Sequence, residues 1–501
     1  MLRKIISQIV SLLRSIYHRL FPIPTPPTRH HIYDARELFF HENMVDGFNR
    51  YDMIVRLLAV ENYYNKNNFG FDLYRKMQEA RHVPGWEGAV DRFYALIKSY
   101  EDNGYDSKSE IILDKNLHLW DGSHRLALAF YHKCYPVSCS IEPITHDVYY
   151  GIAWFVEHSF SVEEIKKIQE RYQSLKNEIA VPFICTLWAP VADYFDEIVD
   201  KLQLLCPVIS YADYEYDEFG YAQIVRKVYA VDDIEKWKIE KKLEYMRLNA
   251  PNGRWKVRVV KLDLEFPDFR QKASNYNTLS RTCEGFKRVI RNAYKDKVPN
   301  YFYDIICHIG DNFYQNDFID KLFEYKRLDV SKIVDAIQSY EYVLTKMDVP
   351  YIPKDFPMSY PLGKDMDVVC LKNDYDKLVS EITDTVWQMQ LPYEVNVIVK
   401  SSCRTLVRIE LQKQLIYQID ISYQLDELND EFTQEMIEKR QKQSGYYIPA
   451  IEHELIIRYF DYSHNSSKTW HRDFIRANIC QANKAIIMRY APMIYHVTEQ
   501  H

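Results

Sequence analysis

In YPLGKDMDVVCL, residues 360–371, Asp365 and Asp367 stand two apart at the entrance to an apolar run. Residues i and i+2 of a strand share a face, so the two carboxylates project together. Like charges that close destabilise a fold unless a cation sits between them. A third acid, Asp420, lies inside IYQIDIS, the second of two strand-like runs in RTLVRIELQKQLIYQIDISY. A carboxylate inside an apolar strand needs a partner. Two acids from one strand and a third from its neighbour match the hard oxygen ligands of Mg²⁺, whose octahedron is completed by phosphates and waters. A Mg²⁺ ion held in this way is expected to meet phosphate oxygens. The ligand set expected for Mg²⁺ is therefore Asp365, Asp367 and Asp420, with Gly363 and Lys364 as the turn before them.

A second constellation is WDGSHRLALAF, residues 120–130. An Asp-Gly turn leads into an apolar helix that opens on Ser123, His124 and Arg125. Backbone N–H groups at a helix start, together with Arg125, make an anion site. His124 there can transfer a proton or bond a phosphate. The expected phosphate-binding residues are Asp121, Gly122, Ser123, His124 and Arg125. Weaker candidates are scattered. Glu454, Arg458, Lys468 and His471 in the C-terminal tail could face the groove of the carboxylates. His308, Asp311 and Asn312 stand at a strand end, where ligands of α/β domains bind. Arg281, Lys287, Arg288 and Arg291 form a basic helix that could meet phosphates.

These residues need elements to hold them. YDMIVRLLAVENYY and DLYRKMQEAR have helical periodicity. Residues 109–143 read as strand, tight turn, helix, strand. From about 160 to 330 strands and helices alternate, which implies a layered α/β domain. Strands surround Asp367 and Asp420, and a helical tail follows. The first 22 residues carry a helical apolar stripe interspersed with Arg3, Lys4, Arg14, His18 and Arg19. Such a basic amphipathic helix is expected to lie in a membrane interface rather than span it. PIPTPPT, residues 22–28, reads as a stiff linker. The expected domains are 1–22 (amphipathic helix), 23–150, 151–335 and 336–501.

A chain of 501 residues is too long for one core. Hydrophobic residues make up 47%, which is a globular composition and not a disordered one. The net charge of −7 gives no sign of nucleic-acid binding, and DNA is not an expected partner. Nine Cys without a CxxC pair suit a reducing compartment and argue against a structural zinc site. Only 13 Gly occur, and neither GxGxxG nor GxxxxGK[ST] is among their contexts, which excludes the usual dinucleotide and P-loop motifs.

Residues 360–475 resemble the nucleotidyltransferase superfamily of the DNA polymerase β type. Its pattern is a Gly-Ser turn, Asp-x-Asp on one strand and a lone Asp on a later one; GKDMDVV and YQIDIS correspond. The resemblance implies a metal-binding role for Asp365, Asp367 and Asp420, which would also be catalytic. Lys364 departs from the pattern, since the family often has Ser there; Lys could grip a phosphate as a point charge. Residues 109–143 look like the ParB/sulfiredoxin fold, whose signature includes DGxHR. That resemblance implies nucleotide-phosphate binding at the turn, and some members are small-molecule kinases. Glu61 is a candidate general base beside it. The combined expectation is a multidomain α/β enzyme, a Mg²⁺-dependent nucleotidyl- or phospho-transferase with a nucleotide-binding or kinase-like N-terminal domain. Its substrate would be ATP or CTP, and its acceptor a small molecule or lipid-linked glycan of bacterial surface polysaccharide assembly. It would be cytoplasmic, peripheral at the inner face of the plasma membrane. The alternatives are a toxin/antitoxin-type nucleotidyltransferase modifying RNA or protein, and a non-catalytic nucleotide-sensing scaffold.

Overall fold

Runs of β-branched and aromatic residues fold into three sheets of four or five strands, with helices between them and further short hairpins. The structure is a computed structural model. It describes residues 31–499 except 45–46, 105, 107, 146–148, 233, 251–252, 273–276, 325–328, 350, 353–355, 359–361 and 392. The helix expected over 1–22 and the linker after it lie outside the described residues. Among the described residues no helix is long and apolar enough to cross a membrane.

The chain divides into two compact units. One comprises Met1–Asp213 and Val257–Asp317, the other Tyr214–Lys256 and Phe318–His501. Residues 151–335, expected as a central domain, fall partly in each unit. Residues 151–213 and 257–317 lie in the first unit, 214–256 and 318–335 in the second.

In the first unit β1 (His31–Asp34), β2 (Ile111–Leu113), β3 (Leu119–Asp121) and β4 (Pro136–Ile141) form a sheet in the order β1-β4-β2-β3. Helix α1 (Tyr51–Tyr63) is buried along most of its length, and α2 (Ser123–Tyr131) follows β3 directly. Strand, turn, helix and strand therefore fall where the sequence pattern puts them. Helix α3 (Val162–Ile179) begins with a capping box between Ser161 and Glu164. A second sheet takes β5 (Phe183–Leu187), β6 (Val208–Tyr216), β7 (Trp255–Leu262) and β8 (Cys307–Ile309) in the order β8-β5-β7-β6. The division between units falls within β6 and at the start of β7.

The second unit opens with α4 (Glu218–Tyr229), capped by Asp217. Its sheet is β9 (Tyr342–Thr345), β10 (Lys364–Cys370), β11 (Glu394–Ser401), β12 (Arg404–Leu411) and β13 (Gln414–Ser422), in the order β9-β10-β13-β12-β11. Only β10 and β13 of the hydrogen-bonded pairs in this sheet run parallel. Two tail helices, α5 (Ile451–His464) and α6 (Thr469–Asn478), bury Leu455, Ile456 and Ile475 in a core shared with Val343 and Val369 of the sheet.

Candidate functional site

Strand pairing decides where the acids go. In the parallel ladder Asp367 is the partner of Asp420 and Asp365 the partner of Gln418. Across β9 and β10, Thr345 is opposite Asp367, and across β13 and β12, Leu406 is opposite Asp420. Thr345, Asp367, Asp420 and Leu406 thus form one row across four strands on one face of the sheet. Two residues further along come Val369, Ser422 and Arg404. The other residues of β10, Met366, Val368 and Cys370, are buried on the opposite face. This alternation in KDMDVVC anchors the strand and leaves the acids facing outward.

Over this row lies a cavity of about 360 Å³, within the range of small-ligand sites. Its sheet side is Thr345, Asp367, Val369, Asp420, Ser422 and Arg404, and α5 closes the other side with Ile457, Phe460, Asp461 and His464. Lys346, Asp426, Asn465 and Lys468 complete the polar rim. Asp365 shares the sheet face with the other two acids but is not among the lining residues, so the cavity takes two of the three expected carboxylates.

The charges are balanced by protein cations. Lys346 Nζ lies 2.7 Å from Asp367 Oδ2 and 3.0 Å from Asp461 Oδ2, so one ammonium joins the sheet to α5. Both oxygens of Asp420 accept from Arg404, with Nε at 3.0 and 3.1 Å. Burial pushes the Asp367 carboxyl above the usual carboxylate range, against the pull of Lys346. Burial acts to discharge Lys346, yet Asp367 and Asp461 together hold its ammonium above the ordinary range. Burial also opposes ionisation of Asp461, but Lys346 outweighs it and keeps that carboxyl low. Burial lowers His471 to about 4, helped by Arg458, Lys346 and Lys468 against Asp461, so its ring is neutral near pH 7.

Of the tail residues, Lys468 lines this cavity and Glu454 accepts the backbone N–H of Lys346 at 3.1 Å. Arg458 is buried, donates to Glu454 at 2.6 Å and stacks 3.8 Å over the Phe474 ring. His471 is buried beside Asp461, 3.8 Å away. The Gly363 turn has φ +72°, and a Cβ there would meet the Lys227 side chain of α4 at 3.4 Å. Lys364 sends its ammonium over the stacked rings of Tyr351 and Phe219, 4.5 and 5.3 Å from their centroids. It is not a lining residue of the cavity. The residues that sequence reasoning missed are Lys346, Arg404 and Asp461. Lys346 follows the end of β9, Arg404 opens β12 and Asp461 lies within α5, and only the fold brings them to the acids.

In the first unit the DGSHR turn is built around Gly122. Its φ is +103°, and a Cβ would lie 3.0–3.2 Å from atoms of Ile111. Asp121 is exposed and its Oδ1 accepts the Gly122 N–H at 2.7 Å. Ser123 Oγ accepts from Arg50 Nη2 at 2.9 Å, and Arg50 also grips Asp52. Arg56 binds the same Asp52 carboxylate at 2.8 Å. His124 Nε2 meets the Tyr74 hydroxyl at 2.7 Å, and Arg125 donates to the Glu110 carbonyl at 3.0 Å. Burial, reinforced by Arg56 and Arg81, drives His124 well below its ordinary range. The turn therefore sits in a field of guanidinium groups with a neutral imidazole at its centre. Glu61 is held elsewhere, by Arg171 of α3 at 2.7 Å.

The remaining candidates are absorbed by the fold. Asp311 is clasped by Lys287 at 2.7 Å and by Lys272. Asn312 donates to the Thr278 carbonyl and Arg291 to that of Cys307. Arg281 pairs with Asp268 at 3.3 Å, His308 is buried, and Arg288 remains exposed.

Compared with known proteins, the chain matches no family model and no curated protein. Among the described residues no three His, Cys, Asp or Glu side chains form a group able to hold a metal ion unaided. Asp367 and Asp420 nevertheless present hard oxygens side by side, and Thr345 Oγ1, buried in the same row, has no hydrogen-bond partner among the described residues. Mg²⁺ commonly uses one or two carboxylates and completes its shell with substrate phosphates and waters. The residues fit such a site.

Proposed function

We propose that the second unit is a nucleotidyl- or phospho-transferase acting in the cavity between the sheet and α5. The observation that carries this reading is the pairing of Asp367 with Asp420 on adjacent parallel strands, both opening on that cavity. Asp367 and Asp420 would hold Mg²⁺ beside Thr345, and the ion when bound offsets charge on a phosphate chain. Arg404 and Lys468 stand on the same rim and would meet phosphate oxygens, Arg404 through its planar fork. The DGSHR turn of the first unit would bind nucleotide phosphate at the start of α2, where Arg50 and Arg125 add positive charge. A small molecule or lipid-linked glycan of surface polysaccharide assembly is the acceptor class that goes with this reading.

One observation favours a second reading. Each cavity-lining acid of the sheet already has a cationic partner in the protein, as in a nucleotide sensor that performs no transfer. Incubation with ATP, CTP, GTP or UTP, Mg²⁺ and a metabolite mixture, read by mass spectrometry, separates the two. Transferase activity predicts a product mass increased by a nucleotidyl or phosphoryl group that disappears with Asp367→Asn. Nucleotide binding without any such product supports the sensor.

A further inference from the structure

We propose that Asp461 is the catalytic base of this cavity, taking the proton of a hydroxyl-bearing acceptor; the proposal rests on the transferase reading above. Asp461 stands on α5, across the cavity from the strand aspartates, with its side chain 31% exposed. Among the described residues its side-chain contacts all fall on one oxygen. Oδ2 meets Lys346 Nζ at 3.0 Å and has His471 Nε2 at 3.8 Å. Among the described residues nothing bonds Oδ1, so an acceptor oxygen remains on a carboxylate that lines the cavity. Lys346 is itself fixed by Asp367 at 2.7 Å. A base oriented by a third group is the arrangement that hydroxyl activation requires.

The surroundings indicate the acceptor. Ser422, Gln424 and Asn465 offer neutral hydrogen-bonding groups in the same cavity lining as Asp461, and Phe460 offers an apolar face. Asp426 on the same rim disfavours an anionic acceptor. A neutral polyhydroxylated molecule such as a sugar matches that inventory. In the step, the acceptor oxygen forms a bond to the α-phosphorus of a nucleoside triphosphate. The bond from that phosphorus to the bridging oxygen breaks, and pyrophosphate leaves with the electron pair. The hydroxyl proton passes to Asp461 Oδ1. Lys346 acts as a positioning residue.

The test uses the full chain, the four nucleoside triphosphates with Mg²⁺, and a panel of neutral monosaccharides, read as pyrophosphate release and as nucleotide binding by calorimetry. Asp461→Asn should keep nucleotide affinity within about threefold of wild type while turnover falls about 100-fold or more. Added formate should restore part of the turnover of Asp461→Ala but none to Asp367→Asn, which a merely structural role for Asp461 does not predict. Turnover of Asp461→Asn close to wild type, or no formate rescue, overturns the base assignment and leaves the transferase reading intact. A wild type that releases pyrophosphate from none of the four overturns the step proposed here, and one that in addition adds no phosphoryl group to any acceptor overturns the transferase reading as well.

Discussion

At the scale of single residues, Lys346 answers the question raised by the paired acids. The sequence pattern calls for a cation near Asp367, and the structure supplies one from the end of β9, shared with Asp461. Lys346 is mostly buried, with 23% of its side chain exposed. Removing one member of such a group leaves like charges uncompensated, which costs about 3–5 kcal/mol where burial is complete and somewhat less here. Lys346→Met should therefore lower the urea midpoint clearly, and the double variant Lys346→Met/Asp461→Asn should recover part of the loss. Chemical denaturation of the four proteins of that cycle gives the coupling energy; additivity of the two changes would contradict the shared ammonium. Arg404 is different. Its side chain is 47% exposed, so its pair with Asp420 is screened and contributes little stability. Asp367 and Asp420 could be read from sequence because a charge inside an apolar run is anomalous. Lys346 and Asp461 could not, because a lysine after a strand and an aspartate on a helix are ordinary until the fold places them 3.0 Å apart.

At the scale of elements, the strand–turn–helix around DGSHR was readable because Asp-Gly, an apolar helix and flanking β-branched runs all agree. The helix α4 was not, since its FGYAQIVRKVY follows a tyrosine-rich strand without a break in pattern. Asp217 caps it through the Gly220 N–H at 2.6 Å. A buried acid ties together three segments of the first unit. Glu37 on the helix Ala35–His41 accepts from Thr278 Oγ1 and, at 2.7 Å, from the Phe313 N–H. Burial pushes its carboxyl up to about 8, with Asp34 adding to the effect. A carboxyl raised in the folded state contributes full stability below its unfolded value and loses it as pH rises through the folded value. Stability should accordingly fall between about pH 4.5 and 8, at most about 1.4 kcal/mol per pH unit from this group. Glu37→Gln should flatten that part of the profile. Melting curves at pH 5, 6, 7 and 8 check it, and an unchanged slope in the variant would show that Glu37 is ionised throughout.

At the scale of the whole molecule, the units do not follow chain order. Residues 214–256 belong with 318–501, which no composition shift announces. Apolar periodicity reveals that a helix has a buried face but not which core receives it. The consequence for the site is direct. Lys227 of α4 donates to the Leu415 carbonyl at 2.5 Å, and Phe219 stacks on Tyr351 at 5.7 Å. A fragment of 336–501, the domain suggested by sequence, lacks both contacts. It should melt at a lower temperature and less cooperatively than the same residues do in the full chain, by circular dichroism; an equally sharp and equally hot transition would show that α4 is dispensable.

The claim that the sheet acids and their cavity hold a divalent cation together with a nucleotide is tested most directly by Mn²⁺ electron spin resonance in the presence of a non-hydrolysable nucleoside triphosphate analogue. The wild type should bind Mn²⁺ only when the analogue is present, because Asp367 and Asp420 supply two carboxylates and the phosphates supply further oxygens. Asp420→Asn should lose that signal while analogue binding at the DGSHR turn persists. Undiminished Mn²⁺ binding in Asp420→Asn, or none in the wild type with the non-hydrolysable analogue of ATP, CTP, GTP or UTP, would contradict the account.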